Sequence, residues 1–362
     1  MDTESRGLDP AAAAKRVGLT ARCLKDRLAS GVVFKKIDST LRGPVGAELD
    51  ALLTATGRRS ALVSPAFPDQ KRTVSHGVLL VDGQPAHLSP IGQDPAYPGP
   101  TSDVAAIVRR GAARPVSCLP LDRVRGRHDE LALLLSRACD QIIVADAEID
   151  ADLDALARAA LGCPQLVLAG SAGLARAVAE SLGYAGPRVP LPEGRAWLIV
   201  AGSLHPTARA QLRAIEAAGV AGVRLDGPRD PDIRPLIAEI ADGRPVFIAT
   251  SDALATAPDA RGETAARLAR LTTRVLAESH PDLVAITGGE TAVALLRALG
   301  ATRLDLVGVP APGLALGEIV NRGAPTVPLL TKAGGFGAPD LFLTLLKAAP
   351  FSPAAGSKGT SS

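Results

Sequence analysis

One unit recurs along this chain: a short apolar run, a turn carrying glycine, then a segment with helical spacing. Residues 165–169 lead through Gly170-Ser171-Ala172-Gly173 into 174–182, and 196–201 lead through Gly202-Ser203 into 206–218. Residues 283–287 lead through Gly288-Gly289 into 290–299. Apolar runs this short, bounded by glycine, suit strands buried on both faces, and helices between them require parallel neighbours. The recurrence predicts an α/β fold with mainly parallel sheets flanked by helices. Further strands are expected at 61–64, 115–119, 141–146, 220–225, 245–250 and 326–330, and helices at 130–138, 151–161, 262–279 and from about 340. Pro187, Pro190 and Pro192, with Gly186 and Gly194, interrupt the pattern. They place a Pro-rich linker at 186–195, between a domain over 1–185 and a second over 196–350. Residues 351–362, rich in Ser, Gly and Ala, read as a disordered tail.

The most chemically loaded stretch is Lys35-Lys36-Ile37-Asp38-Ser39-Thr40-Leu41-Arg42-Gly43. It follows a buried-strand pattern at 31–34 and precedes helical spacing at 45–53, so it forms a strand-to-helix turn. In open α/β sheets ligands bind outside the carboxyl ends of strands, where such turns lie. Arg42 has the fork to grip a carboxylate, Lys35 or Lys36 adds a point charge, and Asp38 and Ser39 can bond hydroxyls. That set suits a small, anionic, polyhydroxylated molecule. The competing reading is a charged turn with Ser39 or Thr40 as a helix N-cap and Arg42 in solvent.

Elsewhere in the first half, Asp9 and Pro10 start a helix over 11–28 with Val17, Leu24 and Leu28 on one face. Residues 77–85 read as a hairpin turning at Asp82-Gly83, and 90–102 as a surface loop. In the second half the glycine turns leave first-turn N–H groups free to meet an anion. Gly288-Gly289-Glu290-Thr291 is the strongest such candidate, and Gly202-Ser203 the next. Thr331-Lys332-Ala333-Gly334-Gly335-Phe336-Gly337 is a third loop able to wrap a phosphate or an adenine edge. One glycine turn is ordinarily only a turn, but three in one half point toward a nucleotide. Neither a P-loop motif nor a G-x-G-x-x-G after a strand occurs. Lys332 by itself reads as a solvated lysine; His205, before Pro206, reads as a helix-entry residue.

Composition narrows the classes. Aromatic residues make up 2% of the 362 residues and the net charge is +3, with no polybasic arm. A base-stacking nucleic-acid surface is therefore not expected. No apolar run approaches the roughly 18 residues of a membrane helix, and Met1-Asp2-Thr3-Glu4 lacks the layout of a signal peptide. The four cysteines lie far apart with no C-x-x-C and read as buried, reduced thiols. The histidines show no metal-ligand spacing. A cytoplasmic protein with no resident metal site, no membrane partner and no nucleic-acid partner is the expectation.

Taken together, these residues resemble the four-carbon acid sugar kinase family, ATP-dependent kinases of threonate, erythronate or 3-oxo-tetronate. The resemblance rests on K-K-I-D-S-T-L-R-G-P-V-G-A-E-L at 35–49, P-A-F-P-D-Q at 65–70 and G-V-L-L-V-D-G at 77–83. It continues through D-A-E-x-D-A-D-L at 146–153, G-S-A-G-L-A at 170–175 and A-G-S-L-H-P at 201–206. T-G-G-E-T-A at 287–292 and T-K-A-G-G-F-G at 331–337 complete it. The resemblance implies an N-terminal substrate-binding domain, a C-terminal nucleotide-binding domain and an active site in the cleft between them. It also implies that Arg6, of the T-x-S-R element, faces the sugar acid together with Lys36, Asp38, Ser39 and Arg42. Lys36 would offset developing charge, and Asp38 would orient or deprotonate the attacking hydroxyl. Ser203, Gly288, Gly289, Glu290, Thr291 and Gly334 would contact ATP, with Mg²⁺ bridging its phosphates. Family members begin with a strand and a D-D-x-T-G-A turn that this sequence does not contain. The two expectations that follow are a kinase whose start lies further upstream, or a shortened nucleotide-binding remnant without catalysis. Another small-molecule transferase on the same scaffold is a third. A homo-oligomer is compatible with all of them.

Overall fold

The computed structural model describes residues 2–93, 97–184, 189–203, 205–251, 261–311, 313–321 and 326–349. The tail expected at 351–362 and the start of the linker at 186–188 lie outside them. The chain divides into two compact units after residue 185.

In the first unit, apolar runs form β1 (Val33–Lys36) and β2 (Ser60–Ser64). Three short strands follow, β3 (Arg72–Ser75), β4 (Val78–Val81) and β5 (Gln84–Pro85), and then β6 (Val116–Leu119), β7 (Ile142–Ala145) and β8 (Leu166–Gly170). Five of them make a sheet in the order β1-β8-β2-β7-β6, all neighbours parallel. Strands β7, β2 and β8 are buried along their whole length, which is why they read as unbroken apolar runs rather than alternating ones. Strand β1 lies at the sheet edge; Gly31 and Val32 ahead of it are exposed, so the buried run expected at 31–34 is confined to Val33 and part of Phe34. β3, β4 and β5 form a separate antiparallel sheet. Its tight turn is Asp82-Gly83, with φ of 50° and 80°, the paired left-handed geometry that a two-residue hairpin requires.

The first helix, Pro10–Cys23, starts where Asp9 Oδ1 accepts from the Ala12 N–H at 2.9 Å. It stops at Leu24 (φ −103°), and only a single turn, Lys25–Leu28, follows. The continuous helix expected to residue 28 is thus broken. The helix after the cationic turn is Val45–Thr56, with Pro44 at its N-cap, so neither Ser39 nor Thr40 caps it. Within 90–102, Tyr97 and Ser102 are buried, so the segment is not only surface loop. The cysteine expectation is corrected as well: Cys23, Cys118 and Cys139 are exposed and only Cys163 is buried. Cys23 ends a surface helix, Cys118 lies on the edge strand β6, and Cys139 sits in a loop.

The second unit carries β9 (Trp197–Ala201), β10 (Ala221–Leu225), β11 (Val246–Thr250), β12 (Leu283–Thr287), β13 (Arg303–Gly308), β14 (Leu314–Val320) and β15 (Val327–Lys332). Their order is β10-β11-β9-β12-β15-β14-β13, parallel through β15 and antiparallel beyond it. Both faces are covered: Leu198, Val200, Val284 and Ile286 face one core, and Trp197, Ile199, Leu283 and Ala285 the other. The antiparallel pair β13–β14 has no counterpart in the sequence reading. Its outer strand exposes Arg303, Leu306 and Val307 and buries no residue fully, so the apolar signal of a buried strand is absent. Val189 and Leu191, within the Pro-rich segment, pack on this unit. From β9 the chain crosses to β10 on one side, whereas from β12 it continues to the opposite side. The carboxyl ends of β9 and β12 therefore flank a topological switch point, where α/β sheets bind ligands.

Candidate functional site

At the end of β1 the chain turns sharply, and Leu41 takes a left-handed φ of 60°. The turn folds back on Asp38, whose side chain is 11% exposed. Arg42 donates to it through two nitrogens, Nε to Oδ2 at 3.0 Å and Nη2 to Oδ1 at 3.1 Å. Thr40 adds its backbone N–H at 3.1 Å and its hydroxyl, and Arg6 approaches Oδ1 at 3.5 Å. Burial alone would raise the Asp38 pKa, but the Arg42 fork, Thr40 and Arg6 outweigh it and hold the carboxyl well below the usual range. Lys36 donates from Nζ to the Ile37 carbonyl at 2.7 Å. Desolvation lowers its pKa against the attraction of Asp38. Lys35 turns the other way, to Glu48 at 2.7 Å, and that pair is largely buried. Ser39 sits half-buried in the same turn. Arg6, Lys36, Asp38, Ser39 and Arg42 are thus brought to one turn, while Lys35 is neutralised by Glu48.

One residue of this cluster escaped the sequence reading. Arg72, the first residue of β3, lies within electrostatic range of both Asp38 and Arg42. Its Nη1 donates to the Gln70 carbonyl at 2.7 Å, while its Nε is buried without a hydrogen-bond partner. The only available signal was an arginine next to the P-A-F-P-D-Q loop, which says nothing about where that loop folds.

In the second unit three glycine turns meet at the switch point. Gly202 N–H donates to Thr287 O at 3.3 Å, and Gly288 N–H to Lys332 O at 3.0 Å, so the ladder across β9, β12 and β15 continues into the turns. Gly288 has φ 112°, a conformation that side-chain-bearing residues rarely adopt. A Cβ placed on it would lie 3.4 Å from the Ser203 nitrogen. A Cβ on Gly334 would overlap the Ser203 hydroxyl and lie 2.8 Å from its Cβ, and one on Gly202 would overlap the Thr291 hydroxyl. Ser203, Gly288, Thr291 and Gly334 are therefore packed together, with Gly289 and Glu290 exposed in the first turn of helix Gly289–Ala298. His205 caps helix Pro206–Ala217 by accepting the Thr207 N–H at 3.2 Å, as expected for a helix-entry residue.

Lys332 is not solvated; it is 3% exposed. Its Nζ donates to the carbonyls of Ala333, Gly334 and Phe336 at 2.9, 3.2 and 3.0 Å, and burial pushes its pKa down to about 8. The buried Gln211 holds the same loop from the other side, donating to Phe336 O and Ala338 O at 2.9 Å each. The Thr287 hydroxyl at the end of β12 is buried without a partner. A tight cradle of backbone, closed to any Cβ and with an orphaned hydroxyl beside it, suits the phosphates of a nucleotide. Among the described residues no three His, Cys, Asp or Glu side chains gather as metal ligands, and no helix is long and apolar enough to cross a membrane.

The two units correspond to two domain families: a sugar-binding N-terminal domain over residues 1–178 and a nucleotide-binding C-terminal domain over 198–342. The chain belongs to the four-carbon acid sugar kinase family. It is 32% identical to the D-threonate kinase of Salmonella typhimurium, over 93% of this chain and 85% of that one. It is 30% identical to the D-erythronate kinase of Heliobacterium modesticaldum, over 94% and 84%. It is 32% identical to the 3-oxo-tetronate kinase of Methylobacterium radiotolerans, over 94% and 86%. The fold is shared with the crystal structure of a putative tRNA synthase from Salmonella typhimurium (TM-score 0.75, 22% identity, 94% and 86% covered).

Proposed function

We propose that this chain is an ATP-dependent kinase that phosphorylates the terminal hydroxyl of a four-carbon sugar acid, threonate, erythronate or 3-oxo-tetronate. The observation that carries this reading is the cationic turn of the sugar-binding unit, where Arg6, Lys36, Arg42 and Arg72 surround one carboxylate. Such an excess of positive charge suits an acid substrate and a reaction in which negative charge moves.

Phosphoryl transfer asks for positioning and charge neutralisation more than covalent chemistry. Lys36 keeps hydrogens beyond the one given to Ile37 and can meet developing negative charge. Asp38 is ionised and surrounded by donors, so it is a weak base. Its contribution is to fix Arg6 and Arg42 and to orient the hydroxyl. In the second unit, Ser203 and Gly334 would offer backbone N–H groups to the phosphates. Gly288, whose own N–H is bonded to Lys332 O, would let the chain pass close to them without a side chain. Thr291 would close the floor under Gly202, and Gly289 and Glu290 would line its mouth. When bound, ATP would supply the γ-phosphoryl group and Mg²⁺ would offset the charge of its phosphates.

The test is a coupled ADP-release assay with ATP and Mg²⁺ against the three acids. Turnover with one of them supports the kinase. Stabilisation by ATP in a thermal-shift measurement, with no turnover on any acid, supports the non-catalytic nucleotide-binding reading instead.

A further inference from the structure

Sequence reasoning assigns the substrate carboxylate to Arg42, yet in the folded turn the Nε and Nη2 atoms of Arg42 face Asp38 at 3.0 and 3.1 Å. Arg6 also leans on Asp38. Arg72 differs from both. Its backbone is clamped in a two-way bridge with Phe67, donating to Phe67 O at 3.2 Å and accepting from the Phe67 N–H at 2.7 Å. Its Nη1 is tied to Gln70 O. The guanidinium is thereby fixed from one side, while Nε on its lateral edge stays buried with nothing to donate to. A buried, charged N–H without an acceptor is costly, and native structures seldom keep one unless a ligand completes it. The same guanidinium lies within electrostatic reach of Asp38 and Arg42, as well as of Asp82 in its own hairpin, which brings it into the neighbourhood of the cationic turn.

We propose that Arg72 is a carboxylate-binding residue of this site, offering its unpaired Nε edge to the acid group of the sugar acid, while Arg42 serves to hold Asp38. This assignment rests on the kinase reading above. It gives the β3 hairpin a role in substrate recognition: Phe67 and Gln70 are positioning residues that aim Arg72.

The experiment is calorimetric titration of the full chain with threonate, erythronate and 3-oxo-tetronate, for wild type, R72Q and R72K, with ATP titrated in parallel. Loss of a charged hydrogen-bonding pair predicts sugar-acid binding weakened about 30-fold in R72Q and about tenfold in R72K, whose point charge lacks the fork. ATP affinity stays within about twofold of wild type, because the nucleotide cradle belongs to the other unit. Should R72Q fail to fold, R72K carries the same test, since it keeps the charge and a donor for Gln70. Equal acid affinity in wild type and the folded variants overturns the assignment to Arg72 alone. A wild-type chain that binds ATP but none of the three acids overturns the kinase reading and the assignment with it.

Discussion

Lys332 donates its ammonium to the main-chain oxygen of Phe336, four residues further on, at 3.0 Å. Two further carbonyls, of Ala333 and Gly334, share the same nitrogen. The lysine is therefore the peg around which the 333–337 loop is wound, and that loop presses Gly334 against Ser203.

The first prediction follows from the buried charge. The Lys332 pKa falls from 10.5 to about 8 on folding because the ammonium is desolvated. Between pH 8 and 10.5 the unfolded chain holds this proton and the folded chain does not, so stability rises with pH across that window. The gain is at most about 1.4 kcal/mol per pH unit. Chemical denaturation of wild type and K332M between pH 7 and 10.5 should show the wild-type stability climbing relative to the variant. Parallel pH profiles would contradict the buried ammonium. At pH 7, K332M also leaves three carbonyls without their donor, and nucleotide affinity should fall about tenfold.

Gly334→Ala tests the cradle. Its methyl group would occupy the place of the Ser203 hydroxyl, so either the loop or Ser203 must move. Strain on the order of 1–3 kcal/mol at such a site predicts ATP binding weakened about 10- to 100-fold. Calorimetry with ATP reads the loss, and S203G in the same background should restore part of it by removing the colliding side chain.

The parallel core was legible because strands β2, β7, β8, β9, β11 and β12 are buried on both faces and so appear as uninterrupted apolar runs. The glycine turns stood out for an equally local reason. What escaped depended on contacts far along the chain or on exposure. Strand β13 shows no buried residue in its pattern, so nothing distinguishes it from a loop. Lys332 looks like any other lysine until three carbonyls of its own loop surround it. The partner of the Arg42 fork was four residues away and still missed, because an (i, i+4) arginine–aspartate contact in a non-helical turn exists only once Leu41 takes its left-handed φ of 60°. Arg72 enters the cationic cluster through the folding of a hairpin that pairs with Ala147 at Val74, which no spacing in the sequence announces.

Asp38→Asn should weaken the folded chain and flatten its acid response. Asp38 has a folded pKa held below its ordinary 3.8 by Arg42, Thr40 and Arg6 against the opposing effect of burial. Its stabilising contribution is present above the unfolded-state pKa near 3.8 and is lost as pH falls below it. D38N removes that contribution at neutral pH and leaves Arg42 without its partner, a loss of about 2 kcal/mol for a pair this partly exposed. Urea denaturation should give a larger difference between wild type and variant at pH 7 than at pH 3, where the loss has begun but is not complete because the folded-state pKa lies lower still. Equal differences at both would show that Asp38 is not held ionised.

Gly46→Ala separates packing from helix propensity, because the two predict opposite signs. Gly46 lies inside helix Val45–Thr56, where alanine is ordinarily worth up to about 1 kcal/mol more than glycine. A Cβ there would strike the Val108 carbonyl oxygen and come within 2.9 Å of Arg110 O and 3.1 Å of Ala112 N. Those are backbone atoms, which cannot swing aside as a side chain does, so the helix itself must back away. Overpacking of this kind costs about 1–3 kcal/mol, and the same helix carries Glu48, the partner of Lys35 beside the cationic turn. G46A should lower the urea midpoint without changing the slope of the transition, and sugar-acid affinity should fall with it as Glu48 shifts. Gly57, at the end of the same helix with φ 69° and nothing near its Cβ position, is the control: G57A should cost only the backbone strain of about 1 kcal/mol and leave sugar-acid binding unchanged. A G46A chain as stable as wild type, or more so, would mean that helix and backbone are not in contact at Gly46.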